Sequence, residues 1–431
     1  MPRFLPRLLA AAAAATLLAS PSGRAAEPGT WITLGEPAWR LLQGLRPDVR
    51  SEAERTWTVR APAPGRHGAE LREAIETVHA VRVDDAALPA LSAAIHADLH
   101  HCAGYFVHAS RADALGALAR AQARAQSGPP AGIVVPSYAI DNQNLVTPML
   151  AQVQDSRILS TIQDMSDFTN RYYKTNVGVS AADWVMNTWK GIAGQRKDVT
   201  VQQYTHAGWP QKSVILTIKG TSRPNEIVVM GGHLDTINLH VLRVKESTPA
   251  PGADDDASGV ASLTEVLRVL MANNYHPRRT IQLMAYSAEE EGLLGSAQIA
   301  DDYAAKGRKV VGVMQLDMTN WKGSPEDLYI FTDYTNAAQN TFVANLAATY
   351  QPAITVGYDQ CGYACSDHAS WDAHGYATSM PFEAALGDDD PYIHSPQDTL
   401  ANMDNQATNS VKFARLALSF GVELGTDGPA K

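Results

Sequence analysis

Short apolar runs alternate with amphipathic stretches of helical periodicity from about residue 145 onward. Apolar runs of strand length cover residues 213–219, 226–230, 280–286 and 309–316. Apolar positions recur at helical spacing over residues 257–272, 293–305, 337–350 and 410–423. Because strands that alternate with helices build parallel units, this pattern predicts an α/β fold. We expect a mixed, mostly parallel β-sheet flanked by helices on both faces.

The first part of the chain has a different pattern. A β-like run at 78–83 and an amphipathic pattern at 88–99 predict a small α+β unit. This unit contains no cluster of residues that looks catalytic.

A change of composition separates the two parts. The first lysine of the chain is Lys174, and residues 121–136 are rich in Ala, Gly and Pro, which is typical of an exposed linker. We therefore interpret residues 27–140 as a propeptide and residues 141–431 as the catalytic domain. The alternative interpretation of residues 27–140 is a permanent accessory domain. Removal of a propeptide predicts a mature chain that begins between about residues 122 and 144.

Residues 1–26 have the layout of a secretory signal. Arg3 and Arg7 precede an Ala- and Leu-rich run at 8–20, and small residues follow at 23–26. The apolar run is shorter than a membrane span needs, and no other run reaches that length. We expect export, to the extracellular space or the periplasm, without a membrane span.

Composition narrows the class of protein further. The chain of 431 residues is 45% hydrophobic and 19% charged, which is ordinary for a soluble globular protein with a large core. Its net charge of −10 and the absence of a basic run argue against nucleic acid as a partner. We expect a monomer.

Histidines and carboxylates stand at the ends of apolar runs or in Gly-rich turns, where sheet-based enzymes place their chemistry. These residues are His233, Asp254, Asp255, Asp256, Glu289, Glu290, Glu291, Asp317 and His394. Imidazole nitrogen and carboxylate oxygen are donors that suit zinc. Two histidines with three carboxylates predict a site for two zinc ions.

Spacing suggests individual roles. Asp235 and His233 are two residues apart in an extended segment, so both point to the same side and Asp235 can orient the imidazole. Adjacent carboxylates such as Glu289 and Glu290 offer one metal ligand and one proton acceptor. Asp256 precedes a helical pattern and is placed to cap that helix.

The three cysteines divide into a pair and a single residue. Cys361 and Cys365 flank Gly362, which lets the loop turn tightly enough for a disulfide in an exported protein. Cys102 follows two histidines, but no second metal-binding cluster lies near it in the sequence, so we expect no metal there.

Two further histidines compete for the role of metal ligand. His374 precedes Gly375 and is placed at a helix end, and His368 is placed on the same helix. Neither is expected to bind metal.

A series of motifs carries a resemblance to a known family. In chain order they are His233-Leu-Asp, Pro251-Gly-Ala-Asp-Asp-Asp-Ala-Ser-Gly, Met284-Ala-Tyr-Ser-Ala-Glu-Glu, Leu316-Asp-Met-Thr-Asn, Cys361-Gly-Tyr-Ala-Cys-Ser-Asp-His-Ala-Ser-Trp, Met380-Pro-Phe-Glu and Ile393-His. Residues 145 to about 425 resemble the secreted bacterial leucyl aminopeptidases of metallopeptidase family 28, which are co-catalytic dizinc exopeptidases. The resemblance implies the zinc-exopeptidase fold and two Zn²⁺ per chain.

The resemblance also implies a role for each residue of the site. Asp255 corresponds to the carboxylate shared by both zinc ions. One zinc would be completed by His233 and Asp317, and the other by Glu290 and His394. The general acid/base corresponds to Glu289, and the partner of the His233 ring to Asp235.

A substrate pocket is implied in the same way. Tyr363, held by the Cys361–Cys365 bridge, corresponds to a tyrosine that contacts substrate. The apolar pocket for the first side chain corresponds to Met318, Met380, Phe382 and Ile393. The implied activity is hydrolysis of the N-terminal peptide bond of peptides with a free N-terminus, with a preference for Leu-like first residues.

Two positions depart from the family pattern. Leu386 and Asp389 lie in a segment that carries aromatic residues in close relatives. The Asp389 carboxylate can face either the pocket or the solvent, and we favour the solvent. The rival functions are a related zinc hydrolase or a single-zinc glutaminyl cyclase among enzymes, and a non-catalytic ectodomain of the same fold. The complete ligand set and the retained Glu289 argue against the cyclase and the ectodomain.

Overall fold

The computed structural model describes residues 29–62, 71–127 and 133–428. The segment interpreted as a signal, 1–26, and part of the predicted linker lie outside the described residues. No helix within the described ranges has the length and hydropathy needed to cross a membrane.

The N-terminal unit is a four-stranded antiparallel sheet with helices on both faces. Its elements are β1 (Thr30–Gly35), α1 (Glu36–Leu45), β2 (Ser51–Pro62), β3 (Leu71–Val83), a 3₁₀ turn (Asp85–Ala87), α2 (Leu88–Leu99), β4 (Tyr105–His108) and α3 (Arg111–Ser127). The strand order is β2-β3-β1-β4. Successive residues of β3 enter different cores, because side chains alternate across a strand. Val81 packs with α1 and α2, and Val78 packs with α3.

The larger unit carries the second sheet. Its elements are α4 (Gln143–Leu150), α5 (Asp155–Ser166), α6 (Asn176–Ala193), β5 (Val199–Tyr204), β6 (Ser213–Ile218), β7 (Arg223–His233), α7 (Ala257–Ala272), β8 (Arg279–Tyr286), α8 (Leu294–Ala305), β9 (Lys309–Gln315), β10 (Leu328–Phe331), α9 (Ala337–Tyr350), β11 (Val356–Asp359), α10 (His368–Asp372), β12 (Thr378–Phe382), a 3₁₀ turn (Leu400–Met403) and α11 (Thr408–Thr426).

The eight strands of this sheet lie in the order β11-β10-β12-β9-β7-β8-β6-β5. The central strands β12, β9, β7 and β8 are parallel, whereas β6 and β5 add to one side in antiparallel orientation. On the other side β10 is antiparallel to β12. The predicted fold class, a mixed and mostly parallel sheet between helices, is confirmed.

Helices cover both faces of the sheet because its central strands are apolar on both sides. Along β7, Val228 and Met230 pack into the large core that contains α7 and α11. Ile227 and Val229 point the opposite way, into a smaller core formed with α8 and with Trp371 of α10. The continuous apolar run predicted this two-sided burial.

The predicted strands and helices agree with the structure except at their ends and in the shortest strands. The predicted linker at 121–136 is wrong in its first part, because residues 121–127 complete the helix α3. The run at 226–230 belongs to a longer strand that ends on His233. The strands β10, β11 and β12 are four or five residues long. Such short runs contain too few positions for a period to be recognised.

Candidate metal centre

The predicted site residues meet at the carboxyl edge of the parallel strands. His233 is the last residue of β7, Asp317 follows the end of β9, and Glu289 and Glu290 follow β8. Parallel strands that run side by side bring the residues after their ends to one edge of the sheet. His394 joins them from the loop between β12 and α11.

Asp255 lies between the two histidines. Its Oδ1 is 2.9 Å from His233 Nε2, and its Oδ2 is 3.0 Å from His394 Nε2. Each imidazole nitrogen also faces a second carboxylate. Asp317 Oδ1 is 3.4 Å from His233 Nε2, and Glu290 Oε2 is 2.9 Å from His394 Nε2. The five predicted ligands therefore form two groups that share Asp255.

The donor atoms of this cluster point toward one another, but several of them have no hydrogen-bond partner among the described residues. The atoms His233 Nε2, Asp255 Oδ1 and Asp317 Oδ1 are buried and make no hydrogen bond of acceptable geometry among the described residues. Buried charges in this state are costly unless cations neutralise them. Imidazole nitrogen and carboxylate oxygen fit zinc, so the residues present fit a pair of zinc ions.

The electrostatics of the site follow from burial and from the charges around each group. Burial raises the pKa of Glu290 to about 7, although His394 opposes this shift. Burial opposes the charged form of His394, but Glu290 and Asp255 raise its pKa to about 10. Burial also raises the pKa of Glu289 well above its ordinary value. Both carboxylate oxygens of Glu289 lack a hydrogen-bond partner among the described residues.

Asp235 connects the His233 ring to the turn that carries the two glutamates. The backbone carbonyl oxygen of Asp235 lies 3.2 Å from His233 Nδ1, within hydrogen-bond distance, whereas the carboxylate Oδ1 lies 3.7 Å from that nitrogen. The carboxylate accepts hydrogen bonds from the backbone N–H groups of Glu289, at 3.0 Å, and Glu290, at 3.4 Å. Asp235 thus contacts a candidate ligand from each metal group as well as Glu289, through its carbonyl on one side and its carboxylate on the other.

Asp256 has a different role from its neighbour Asp255. Its carboxylate accepts hydrogen bonds from Gly259 N at 2.9 Å, His233 N at 2.9 Å and Met318 N at 3.1 Å. Asp256 also lies close enough to His233 and Asp317 to be a ligand. Because both of its oxygens are occupied by backbone donors, we assign it the structural role. The predicted cap of α7 is confirmed.

Arg171 is a residue of the site that sequence reasoning missed. It is fully buried, and its guanidinium donates to the carbonyls of Leu234 and Gly252 at 2.8 Å each, of Met165 at 3.2 Å, and of Pro251. These bonds fasten the loop between β7 and α7, which carries the aspartates. The positive charge also lies among their carboxylates. Nothing in its local sequence marks Arg171.

Asp398 is a second missed residue. Its carboxylate accepts hydrogen bonds from Asp254 N at 2.8 Å and Asp255 N at 3.1 Å. These bonds fix the backbone of the shared aspartate from a segment more than a hundred residues away in the chain, so no local signal could have revealed the contact.

The two competing histidines do not join the cluster. His374 Nε2 lies 2.8 Å from Asp301 Oδ1, away from the site. His368 is buried near Cys361 and Cys365. These two cysteines form the predicted disulfide, so they are not free to bind a metal with His368.

A narrow cavity of about 20 Å³ lies beside Asp317. Its wall contains the predicted pocket residues Met318, Met380, Phe382 and Ile393, together with Phe331, Leu386, Asp389, the disulfide and residues His100, His101 and Cys102 of the N-terminal unit. Burial raises the pKa of Asp389 to about 6. Asp389 is half-buried and its Oδ1 accepts a hydrogen bond from Gly387 N at 2.8 Å, so its place in the wall of the cavity favours the inward orientation over the solvent-facing one.

Tyr363 is held away from this cavity by the N-terminal unit. Its hydroxyl donates to Thr33 Oγ1 at 2.9 Å, and its ring packs edge-on against Phe106 at 5.6 Å. In this form of the chain the structure does not bring the predicted substrate-contacting tyrosine to the metal cluster.

Cys102 enters the metal cluster, contrary to the expectation from the sequence. Its Sγ lies 3.2 Å from His394 Nε2 and 3.8 Å from Asp255 Oδ2. No metal-binding residues lie near Cys102 along the chain, but the tertiary fold brings it to His394 and Asp255 of the larger unit. The ring of His96, also from the N-terminal unit, lies 4.5 Å from the His394 ring.

Comparison with known proteins agrees with this geometry. Residues 213–419 match the model of Peptidase family M28. The chain is 36% identical over 296 residues to a probable leucine aminopeptidase of Arthroderma otae, covering 67% of this chain and 79% of that protein. It is 33% identical over 309 residues to a probable aminopeptidase of Saccharomyces cerevisiae, covering 68% of this chain and 80% of that protein.

A solved structure extends the similarity to the N-terminal unit. LapB from Legionella pneumophila superposes with a TM-score of 0.73 at 27% identity, covering 92% of this chain and 99% of that one. The predicted resemblance is thus confirmed at the level of the family, with fungal as well as bacterial relatives.

Replacing Arg171 by Met should weaken the site and the fold together. The change leaves buried carbonyls without donors and removes a positive charge from among the aspartates, so we expect a loss of at least about 3 kcal/mol in the free energy of unfolding. Denaturant unfolding and metal titration measure the two effects. Arg157 is exposed on α5, and Arg157→Met is the matched control, expected to change stability by less than about 0.5 kcal/mol. Equal stability of the two variants would contradict the role of Arg171.

Proposed function

Because the chain belongs to Peptidase family M28, and is a metalloaminopeptidase on the strength of its relatives, we propose that it is an exported dizinc enzyme. In this proposal it removes apolar, Leu-like residues from the N-terminus of peptides. Its first 26 residues direct export, and its N-terminal unit is a propeptide.

The observation that carries the two-metal proposal is the position of Asp255. Its two oxygens face two different histidines, each of which has its own second carboxylate. This arrangement would suit a carboxylate shared by two cations. In this assignment one zinc would be held by His233, Asp255 and Asp317, and the other by Asp255, Glu290 and His394.

Glu289 is proposed as the general acid/base. When bound, the zinc ions would supply a Lewis acid and lower the pKa of a water molecule toward neutrality. Glu289 is buried and its oxygens have no hydrogen-bond partner within the described part of the chain, so it is free to take a proton from that water and to pass it to the leaving amine.

The pocket supports cleavage next to an apolar first residue. Met318, Met380, Phe382 and Ile393 form an apolar wall beside the candidate ligand Asp317. Burial of a Leu-sized side chain there contributes roughly 1.5–3 kcal/mol to binding.

Two substitutions separate the metal and proton roles. Asp255→Asn should lose metal and activity together, because a neutral amide bridges two cations poorly. Glu289→Ala should retain two zinc ions but lower turnover by about 100- to 10,000-fold. Metal content by elemental analysis and hydrolysis of leucyl chromogenic amides give the two readouts.

The control is Glu291→Ala in the same run of glutamates. Glu291 accepts a hydrogen bond from the Tyr172 hydroxyl at 2.8 Å and belongs to neither metal group, so this variant should retain most activity. Full activity and two zinc ions in Asp255→Asn would refute the shared-carboxylate assignment. Loss of zinc in Glu289→Ala would show that the roles of Glu289 and Glu290 are misassigned.

The propeptide proposal rests on how the N-terminal unit covers the site. His100, His101 and Cys102 line the pocket, and Thr33 holds Tyr363. Arg124 of α3 makes an ion pair of 2.5 Å with Asp372 of α10, which anchors the unit on the catalytic domain. A substrate would meet this unit before the metal residues.

Mass spectrometry of the exported enzyme should therefore find a mature chain that begins between about residues 122 and 144. Cleavage there separates the covering unit from the catalytic domain. The uncut chain, isolated from a host without the processing protease, is the reference for activity. A fully active species that still begins near Glu27 would make the unit a permanent accessory domain.

Asp389 should widen the range of first residues accepted by the mature enzyme. Because it lines the pocket, its carboxylate can pair with a Lys or Arg side chain. Asp389→Asn should lower kcat/KM for arginyl amides relative to leucyl amides by about three- to tenfold, or ~0.7–1.4 kcal/mol. Asp388→Asn is the matched control, because Asp388 is exposed and outside the pocket wall. An equal effect of both substitutions would show that Asp389 does not contact the first side chain.

A further inference from the structure

Cys102 belongs to the N-terminal unit but packs against apolar residues of the larger unit. It lies in the turn between α2 and β4, where His100, Ala103 and Gly104 all have positive φ angles of 56°, 45° and 79°. Gly104 N donates to the carbonyl of Ala364 at 3.0 Å, which attaches this turn to the catalytic domain. The turn is thus bound to the larger unit, and it carries the thiol to His394.

The atoms around His394 Nε2 cannot all be hydrogen-bond partners. Asp255 Oδ2, Glu290 Oε2 and Cys102 Sγ lie 3.0, 2.9 and 3.2 Å from this one nitrogen. An imidazole nitrogen carries one proton or one lone pair, so it can satisfy only one partner well. These four atoms, including the nitrogen itself, therefore surround one common point.

The four donor atoms have the compactness of a closed zinc site. Those of Cys102, Asp255, Glu290 and His394 all lie within 4.8 Å of one another, and all four residues are buried. Bond lengths of about 2.0–2.3 Å in a tetrahedral zinc site place neighbouring ligand atoms about 3.3–3.6 Å apart. The distances to His394 Nε2 are close to this range. The unpaired, buried carboxylate of Glu289 is independent support for a ligand bound in this space.

A structural role for Cys102 explains less. Buried free cysteines often serve as small apolar side chains, and Cys102 does contact the cluster of Met318 and Phe382. An apolar role accounts for its burial but not for the approach of the sulfur to His394 and Asp255.

We propose that Cys102 is the fourth ligand of the metal held by Asp255, Glu290 and His394 in the uncut chain, and so keeps the enzyme latent. The inference rests on the proposed dizinc function. Catalytic zinc sites keep one position open for water, whereas a site with four protein ligands is closed. The thiol releases its proton to solvent when it binds the metal, and removal of the N-terminal unit reopens the position.

Absorption spectroscopy of the uncut chain loaded with two cobalt(II) ions tests this assignment. Thiolate bound to cobalt produces an intense near-ultraviolet charge-transfer band that imidazole and carboxylate ligands do not produce. Cys361 and Cys365 are joined in a disulfide, so Cys102 is the one free thiol among the three cysteines. We expect the band in the wild-type uncut chain and its loss in Cys102→Ser, with two cobalt ions bound in both.

Thr33→Val is the matched control in the same interface. It removes the hydrogen bond to Tyr363 but no metal-binding atom, so the band should remain. If Cys102→Ser does not fold, the wild-type spectrum still decides, because no other thiol is free. Two bound cobalt ions without the band would overturn the proposal.

The mature enzyme separates this outcome from failure of the proposed function. If it binds two metals and hydrolyses leucyl amides while the uncut chain lacks the band, only the role of Cys102 is wrong. If it binds fewer than two metals or does not hydrolyse these amides, the proposed function itself is wrong.

Discussion

The structure depends on holding several carboxylates together in a buried space at one edge of the sheet. Asp255, Glu289, Glu290 and Asp317 are all nearly inaccessible to solvent. Their mutual repulsion and their loss of hydration oppose folding unless positive charge and hydrogen-bond donors compensate. Many of the surrounding contacts hold these carboxylates in place.

Hydrogen bonds to the backbone hold the segments that carry these carboxylates in place. Asp256 and Asp398 are themselves acidic, yet each accepts backbone N–H groups and so fixes the segments on which the candidate ligands stand. Arg171 contributes a buried positive charge and fastens the loop before α7. A site supported in this way needs little rearrangement when a cation binds, which favours a defined geometry for chemistry.

Under the proposed function, the N-terminal unit contacts the same groups that a substrate would contact. It places a histidine ring and a thiol at His394, closes the apolar cavity and binds the Tyr363 hydroxyl. Each contact is small, but together they engage the candidate metal, pocket and tyrosine positions at once. Cleavage in the linker would make release of this unit possible without any change in the catalytic sheet.

The amino-acid sequence alone predicted the α/β class, the division into two units and most residues of the candidate metal cluster, because those features depend on local periodicity and on motifs at strand ends. Tertiary structure alone decided the contacts of Arg171, Asp398, Asp389 and Cys102. Their partners are distant in the chain, and a lone arginine, aspartate or cysteine carries no periodic or motif signal. Which distant groups meet is set by the packing of whole elements, so Cys102 looked isolated along the chain and yet lies 3.2 Å from His394 in the fold.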